Sequence, residues 1–265
     1  MASTDKIIIA FDLYGTLLST ESIAKELATH FGNDKAQSIA ALWRRYQLEY
    51  TWRMNSMCEC EDALQGHTTD RNPALYRPFS EITNASLKHA LAEHSVSLSE
   101  DAIESLMKAY DSLDTFPEVE SGLKSIASDP KIEAYVFSNG TDAMVASSVK
   151  QSPSLSQHAH IFRNLITVEE IGVFKPDRRV YEHLARRVGQ EMGRVWLVSG
   201  NPFDVVGAKV AGIQAAWVNR AGGHRGSDGW NDQLGELCGG VKPTVVVKGV
   251  DEAVEAIRKW ASEHQ

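Results

Sequence analysis

Four polar motifs carry residue types that can do chemistry together. They are Asp12-Leu13-Tyr14-Gly15-Thr16-Leu17, Ser138-Asn139-Gly140, Lys175 just before Pro176, and Ser199-Gly200-Asn201-Pro202-Phe203-Asp204. A carboxylate, a hydroxyl–amide pair, an ammonium and a second carboxylate are the make-up of covalent catalysis with an aspartate nucleophile. Taken singly, each has a plain structural role. Asp12 can shape a turn, Ser138-Asn139-Gly140 can cap a helix, Lys175 can sit in a solvated loop, and Asp204 can complement a helix dipole from its first turn. Their order decides for a site: each comes after a short apolar run, and open α/β sheets bind ligands beyond the carboxyl ends of their strands.

Those runs are Ile7–Phe11, Ala134–Phe137, Leu165–Val168, Val195–Val198, Ala215–Val218 and Thr244–Val247. None alternates polar with apolar residues, which is the pattern of strands buried on both faces. Helical stretches at about 141–151, 177–188, 202–211 and 250–262 separate or follow the later runs. Strand–helix–strand succession with right-handed crossovers predicts an α/β fold with a doubly wound, Rossmann-like parallel sheet. From Ser19 to about Pro117 the pattern is instead helical. Ile39, Leu42, Trp43, Tyr46 and Tyr50 recur with the helical period, as do Leu87, Ala90 and Leu91, and Ile103, Leu106 and Met107. This predicts a core domain over 1–18 and 118–265 with a helical cap domain, 19–117, inserted after the first strand. Gln65–Pro78 is the least regular part of the cap, and Ala221–Gly240 reads as a polar, Gly-rich loop before the last strand.

The 265 residues are 43% hydrophobic and 23% charged, a globular mixture, with a formal net charge of −8. That charge speaks against nucleic acid or an anionic membrane as the main partner and leaves small anions open, because a site can be locally positive. No run approaches the roughly 18 apolar residues of a membrane helix, and Ile7–Phe11 is too short for a signal peptide. Cys58, Cys60 and Cys238 form no disulfide framework, which suits a reducing compartment. A soluble cytoplasmic protein is the expectation. Cys58-Glu59-Cys60 matches no common zinc spacing, and His158-Ala159-His160 lacks nearby acids and reads as a loop. The sequons at Asn84 and Asn139 read as accidents of composition, and Trp230 and Trp260 as packing or interface residues.

The strand-end motifs resemble the haloacid dehalogenase superfamily, most members of which are magnesium-dependent phosphatases. Those phosphatases carry a second Asp two residues after the nucleophile as general acid and an Asp ending the fourth strand as a metal ligand. Here Tyr14 and Ser199 stand at those places, so the general acid and a metal ligand are missing together. The same substitutions resemble the metal-independent L-2-haloacid dehalogenases. Trp43-Arg44-Arg45-Tyr46-Gln47-Leu48-Glu49-Tyr50 is similar to that subfamily's cap helix, and Lys175-Pro176-Asp177-Arg178-Arg179-Val180-Tyr181 to a later motif. The resemblance spans most of residues 6–220 and is weakest over Met57–Pro78 and the C-terminal loop. Arg45 stands where a Gln is usual and Phe203 where a Trp is common.

The resemblance implies hydrolytic dehalogenation of 2-haloalkanoates, with no metal and no organic cofactor, by a homodimer. Asp12 would attack C2 and form an ester, with Lys175 as counter-charge and Thr16 and loop amides as hydrogen-bond donors. Arg44 would receive the halide ion, although an Arg on an amphipathic helix can equally be a surface residue. Ser138, Asn139 and Lys175 would hold the substrate carboxylate, and Tyr14, Leu48, Phe79 and Phe203 would wall the pocket, with Arg45 nearby. Asp204, held by Ser199 and Asn201, would activate water for ester hydrolysis, and Tyr181 would orient Lys175 or that water or else belong to a helix core. Two other readings stand beside this one: a phosphatase or other hydrolase with the same nucleophile, and a catalytically silent binding module.

Overall fold

The computed structural model describes residues 6–57, 75–221, 230 and 232–264. Six strands form one parallel sheet: β1 Ile7–Phe11, β2 Ile132–Ser138, β3 Phe162–Thr167, β4 Val195–Ser199, β5 Gln214–Val218 and β6 Val245–Val247. Their order is β3-β2-β1-β4-β5-β6. The all-apolar strand β1 lies at the centre, with Ile9 in register with Ala134 of β2 and Trp196 of β4. The chain turns from β1 to β2 on one side and returns to β4 on the other, so the crevice beyond β1 is the topological switch point where ligands bind in such sheets.

The fold class expected from the sequence is the one observed, with differences at the edges. β3 begins at Phe162, earlier than its apolar run, and takes in Arg163 and Asn164. It is an edge strand, so these side chains reach water, and Arg163 pairs with Glu133 of β2 at 2.7 Å. Asp232 accepts from the Leu234 and Gly235 amides and caps a short helix, Gln233–Leu237, inside the stretch read as loop. Within that stretch residues 222–229 and 231 lie outside the described residues, as do Cys58, Cys60 and most of Gln65–Pro78. Asn139 is buried, His158 and His160 lie in a short helical turn, and Cys238 is exposed. Trp260 packs edge-on against Trp196 and Trp230 against Trp217. No helix among the described residues is long and apolar enough to cross a membrane.

Between β1 and β2 the chain forms α1 Ala24–Phe31, α2 Asn33–Met57, α3 Phe79–Glu93 and α4 Glu100–Ala109. The helix α2 packs on α1 and α3; of the stripe its helical period predicts, Ile39, Trp43 and Tyr46 are buried and Leu42 and Tyr50 half-buried, with Gln47 buried beside them. Helix α5, Val119–Ala127, then returns to the sheet layer. It packs on the C-terminal helix Val250–Glu263, with Gly122 against Val250 and Asp251. The two crossings between sheet layer and insertion run side by side. Ser19 N–H donates to Asp114 O at 2.8 Å, Phe116 N–H donates to Leu17 O at 3.3 Å, and Leu18 bridges Thr115. Beyond the strands, α6 Asp142–Gln151 is capped by the Thr141 side chain and α7 Arg178–Val188 by that of Asp177, while α8 Pro202–Ala211 starts with a proline after Asn201.

Candidate active site

Asp12 is the first residue beyond β1, and its N–H continues the ladder to Val198 O at 3.0 Å. Asp12 is only 6% exposed. Lys175 Nζ donates to Oδ1 at 3.0 Å, while Thr16 Oγ1 and Asn201 Nδ2 donate to Oδ2 at 2.7 and 2.8 Å. A buried carboxylate needs such partners to remain ionised. The Thr16 hydroxyl has no freedom of role: Gly200 N–H donates to its oxygen at 2.9 Å, so its single proton goes to Asp12. This requires the loops after β1 and β4 to touch. A Cβ on Gly200 would lie 2.5 Å from Gly15 O, and Gly15 has a positive φ of 88°. Arg220 braces the same loop, donating to Thr16 O at 2.8 Å and pairing with Glu118 at 2.6 Å.

Lys175 is 1% exposed, and its ammonium has three acceptors: Asp12 Oδ1, Asp204 Oδ2 at 2.8 Å and Phe137 O at 2.9 Å. Burial works against its charge, and Asp12 and Asp204 outweigh burial, so it titrates above the ordinary lysine value. Asp204 is fully buried in the first turn of α8, and burial raises its pKa against the pull of Lys175. Its other oxygen, Oδ1, accepts from Tyr181 Oη at 2.8 Å. Tyr181 lies on α7 within the core and is bonded to Asp204, not to Lys175. Ser199 and Asn201 do not hold the Asp204 carboxylate: Ser199 Oγ accepts from Asn201 N–H at 3.1 Å, and only the Asn201 backbone carbonyl meets the Asp204 N–H.

The insertion supplies the facing wall. Arg44 Nη2 donates to Tyr14 O at 3.0 Å and to Asn201 Oδ1 at 3.4 Å, which places its guanidinium against the loop that carries Asp12. A cavity of about 760 Å³ is bounded by Thr20, Lys25, Gln37, Ala41 and Arg44. The Tyr14 ring stacks on Phe79 at 6.2 Å and leans on Tyr110 at 5.5 Å, while its hydroxyl bonds Ser148 at 2.9 Å. Burial pushes its phenol far up, so it stays neutral. Ser138 is buried, its Oγ accepting from Gly140 N–H at 3.1 Å, and Asn139 Oδ1 accepts from Lys175 N–H at 2.9 Å.

Leu48 is half-buried one turn along α2 from Arg44, and Phe203 meets Trp52 edge-on at 5.3 Å another turn further. Arg45 lies apart from this group. It is exposed, its guanidinium 5.4 Å from the ring centroid of neighbouring Tyr46. Trp52, Asn55, Tyr110 and Arg220 escaped the sequence reading. For Trp52 and Asn55 the signal was present, since they fall on the Arg44 face of α2 at helical spacing. For Tyr110 and Arg220 there was none.

A carboxylate beyond the central strand, clamped by a hydroxyl and a buried ammonium, with a second buried carboxylate on the far side of that ammonium, defines a hydrolase built around an aspartate. A family model of haloacid dehalogenase-like hydrolases matches residues 8–212. An (S)-2-haloacid dehalogenase of Pseudomonas sp. strain CBS-3 is 30% identical over 92% of this chain and 92% of its own. A haloacetate dehalogenase of Moraxella sp. strain B is 30% identical over 81% of this chain and 86% of its own. The crystal structure of an L-2-haloacid dehalogenase superposes with a TM-score of 0.77 at 25% identity, covering 97% of this chain and all of that one. The chain belongs to the haloacid dehalogenase-like hydrolases and, within them, to the L-2-haloacid dehalogenase subfamily.

Proposed function

We propose that the protein hydrolyses short-chain L-2-haloalkanoic acids to D-2-hydroxy acids through an ester on Asp12. The observation that carries this is the opposition of two features at one loop: an Asp12 carboxylate saturated by Thr16, Asn201 and Lys175, and the Arg44 guanidinium reaching Tyr14 O beside it. An Asp12 oxygen attacks C2, the carbon–halogen bond breaks, and the halide leaves with the bonding pair toward Arg44. Attack from the face opposite the halogen inverts C2. The substrate carboxylate lies among Ser138, the amides around Asn139 and Lys175, and Tyr14, Leu48, Phe79 and Phe203 keep bulk water out. Asp204 takes a proton from a water that attacks the ester carbonyl carbon; the acyl carbon–oxygen bond breaks, the proton passes to the departing alkoxide to give the 2-hydroxy acid, and Asp12 is returned with one oxygen from that water.

This chemistry calls for neither metal nor organic cofactor. Tyr14 and Ser199, which stand where metal-dependent relatives have carboxylates, are neutral hydroxyls already engaged with Ser148 and the Asn201 amide. Residues 19–117 act as a cap that closes on the core, formed by 1–18 and 118–265, and carries Arg44 to the nucleophile. We place the enzyme in the cytoplasm as a homodimer, in keeping with its odd number of cysteines and its family. The test is incubation with each enantiomer of 2-chloropropionate, and with monochloroacetate, in EDTA, measuring free chloride. Chloride from the L enantiomer is expected. No chloride from any of the three overturns the reading.

A further inference from the structure

Asn55 lies on α2 eleven residues after Arg44, about three turns along the same face. Its carboxamide engages both backbone polar groups of one residue across the boundary with the sheet layer. Nδ2 donates to Phe174 O at 2.7 Å, and Oδ1 accepts from Phe174 N–H at 2.9 Å. Phe174 is fully buried, stacked by Tyr76 at 5.4 Å and touched by Phe79 at 6.3 Å. It directly precedes Lys175, whose own N–H goes to Asn139. The short stretch that presents the catalytic ammonium is therefore gripped by two amide side chains, Asn139 from the core and Asn55 from the insertion.

We propose that Asn55 is a positioning residue that fixes Arg44 and Lys175 in one frame. This rests on the dehalogenase reading above. Arg44 is worth most to the reaction when its guanidinium sits where the halide emerges while Lys175 still pairs with Asp12. The helix α2 packs on α1 and α3, and Asn55 ties its far end to the backbone of Phe174, the residue before Lys175. Phe174 O has a second donor, Asp177 N–H at 3.1 Å, so its carbonyl is less dependent on Asn55 than its N–H is. The Oδ1 half of the latch thus carries most of the positioning, because a buried N–H left without an acceptor is costly.

The test compares Asn55→Leu, which keeps the volume and loses both bonds, with Asn55→Asp, which keeps the acceptor for Phe174 N–H. Single-turnover chloride release from L-2-chloropropionate is expected to slow about tenfold in Asn55→Leu, with KM changed less than kcat, and to recover most of that loss in Asn55→Asp. Amide hydrogen exchange supplies a readout independent of activity. The peptide spanning 172–178 should exchange faster in Asn55→Leu than in Asn55→Asp or the native protein, while the β4 peptide stays unchanged. Unaltered exchange at 172–178 overturns the latch. Faster exchange with native turnover overturns the coupling to catalysis. If the native protein releases no halide, the dehalogenase reading fails, and the exchange experiment still decides whether the latch exists.

Discussion

Tyr181 Oη sits 2.8 Å from Asp204 Oδ1 and 3.1 Å from the Asp204 backbone carbonyl, so one phenol pins both the carboxylate and the helix turn that bears it. The ring is held edge-on by Phe137 at 6.0 Å, and the helix leaves room for it only because residue 207 is Gly: a Cβ there would lie 2.6 Å from the hydroxyl. Burial drives the phenol's titration well above its ordinary value, which keeps it a donor at working pH. With Oδ1 held, Asp204 Oδ2 has a fixed direction toward Lys175.

Replacing Tyr181 with Phe should therefore separate the two chemical steps. In the proposed reaction ester formation on Asp12 does not use this phenol, whereas ester hydrolysis depends on the Asp204 rotamer. Tyr181→Phe is expected to give a chloride burst followed by turnover slowed about tenfold, consistent with the loss of one buried hydrogen bond to a charged group. Mass spectrometry of the quenched protein should show the ester on the peptide containing Asp12. Equal slowing of burst and steady state would exclude this division of labour.

Burial raises the Asp204 pKa, so the acid limb of turnover should lie above the ordinary carboxylate value, activity falling as Asp204 takes up its proton. Lys175 is shifted upward, its two carboxylates outweighing burial, so its deprotonation should cost no activity below the ordinary lysine value. For stability, a raised lysine pKa contributes in full below the ordinary lysine value and fades as pH climbs through the raised one. Asp204 contributes in acid, when protonated, and that contribution fades as pH rises through its raised pKa. Chloride-release rates and urea unfolding across pH check both. An acid limb at an ordinary aspartate value would contradict the first.

The Lys175 ammonium lies between two carboxylates, one of them fully buried. Lys175→Met leaves both without their cation and should cost about 3–5 kcal/mol in urea unfolding. Lys175→Met with Asp204→Asn should recover much of this loss while remaining inactive. A single-variant loss below about 1 kcal/mol would show that water reaches the site freely.

Gly200→Ala should disturb the site through sterics alone, because the new Cβ meets Gly15 O at 2.5 Å. Parting the two loops breaks the Gly200–Thr16 bond and releases the Thr16 proton from its single role. A stability loss of about 1–3 kcal/mol and a larger fall in ester formation are expected. Calorimetry and single-turnover assays read the two separately.

How much of this could be read in the chain depended on what enforced each position. The carboxyl ends of β1, β2 and β4 were legible because their strands are buried on both faces, so an apolar run marks the strand and its first polar neighbours mark the site. β3 was misplaced at its start because an edge strand tolerates Arg163 and Asn164. Arg44 and Arg45 were both placed at the pocket, but adjacent helix residues point roughly 100° apart, and only Arg44 faces the Asp12 loop. Proximity in sequence suggested Ser199 and Asn201 as holders of Asp204, whereas Tyr181, more than twenty residues upstream, takes that place because α7 packs beside α8. Arg220 and Tyr110 reach the site from distant segments, a relation that only the folded topology creates.

The side-by-side crossings at Leu17–Ser19 and Asp114–Phe116 make the helical insertion a transplantable module. Its two ends are already hydrogen-bonded neighbours, so the entropic cost of closing the intervening residues into a loop rises slowly with length, by about 0.6 kcal/mol for each doubling. A helical unit of different size, entering and leaving at one strand spacing, could be exchanged here without parting β1 from its neighbours, provided it supplied its own contacts to the Asp12 loop. The strand that bears Asp12 and the helices that face it are thereby free to diversify on separate schedules.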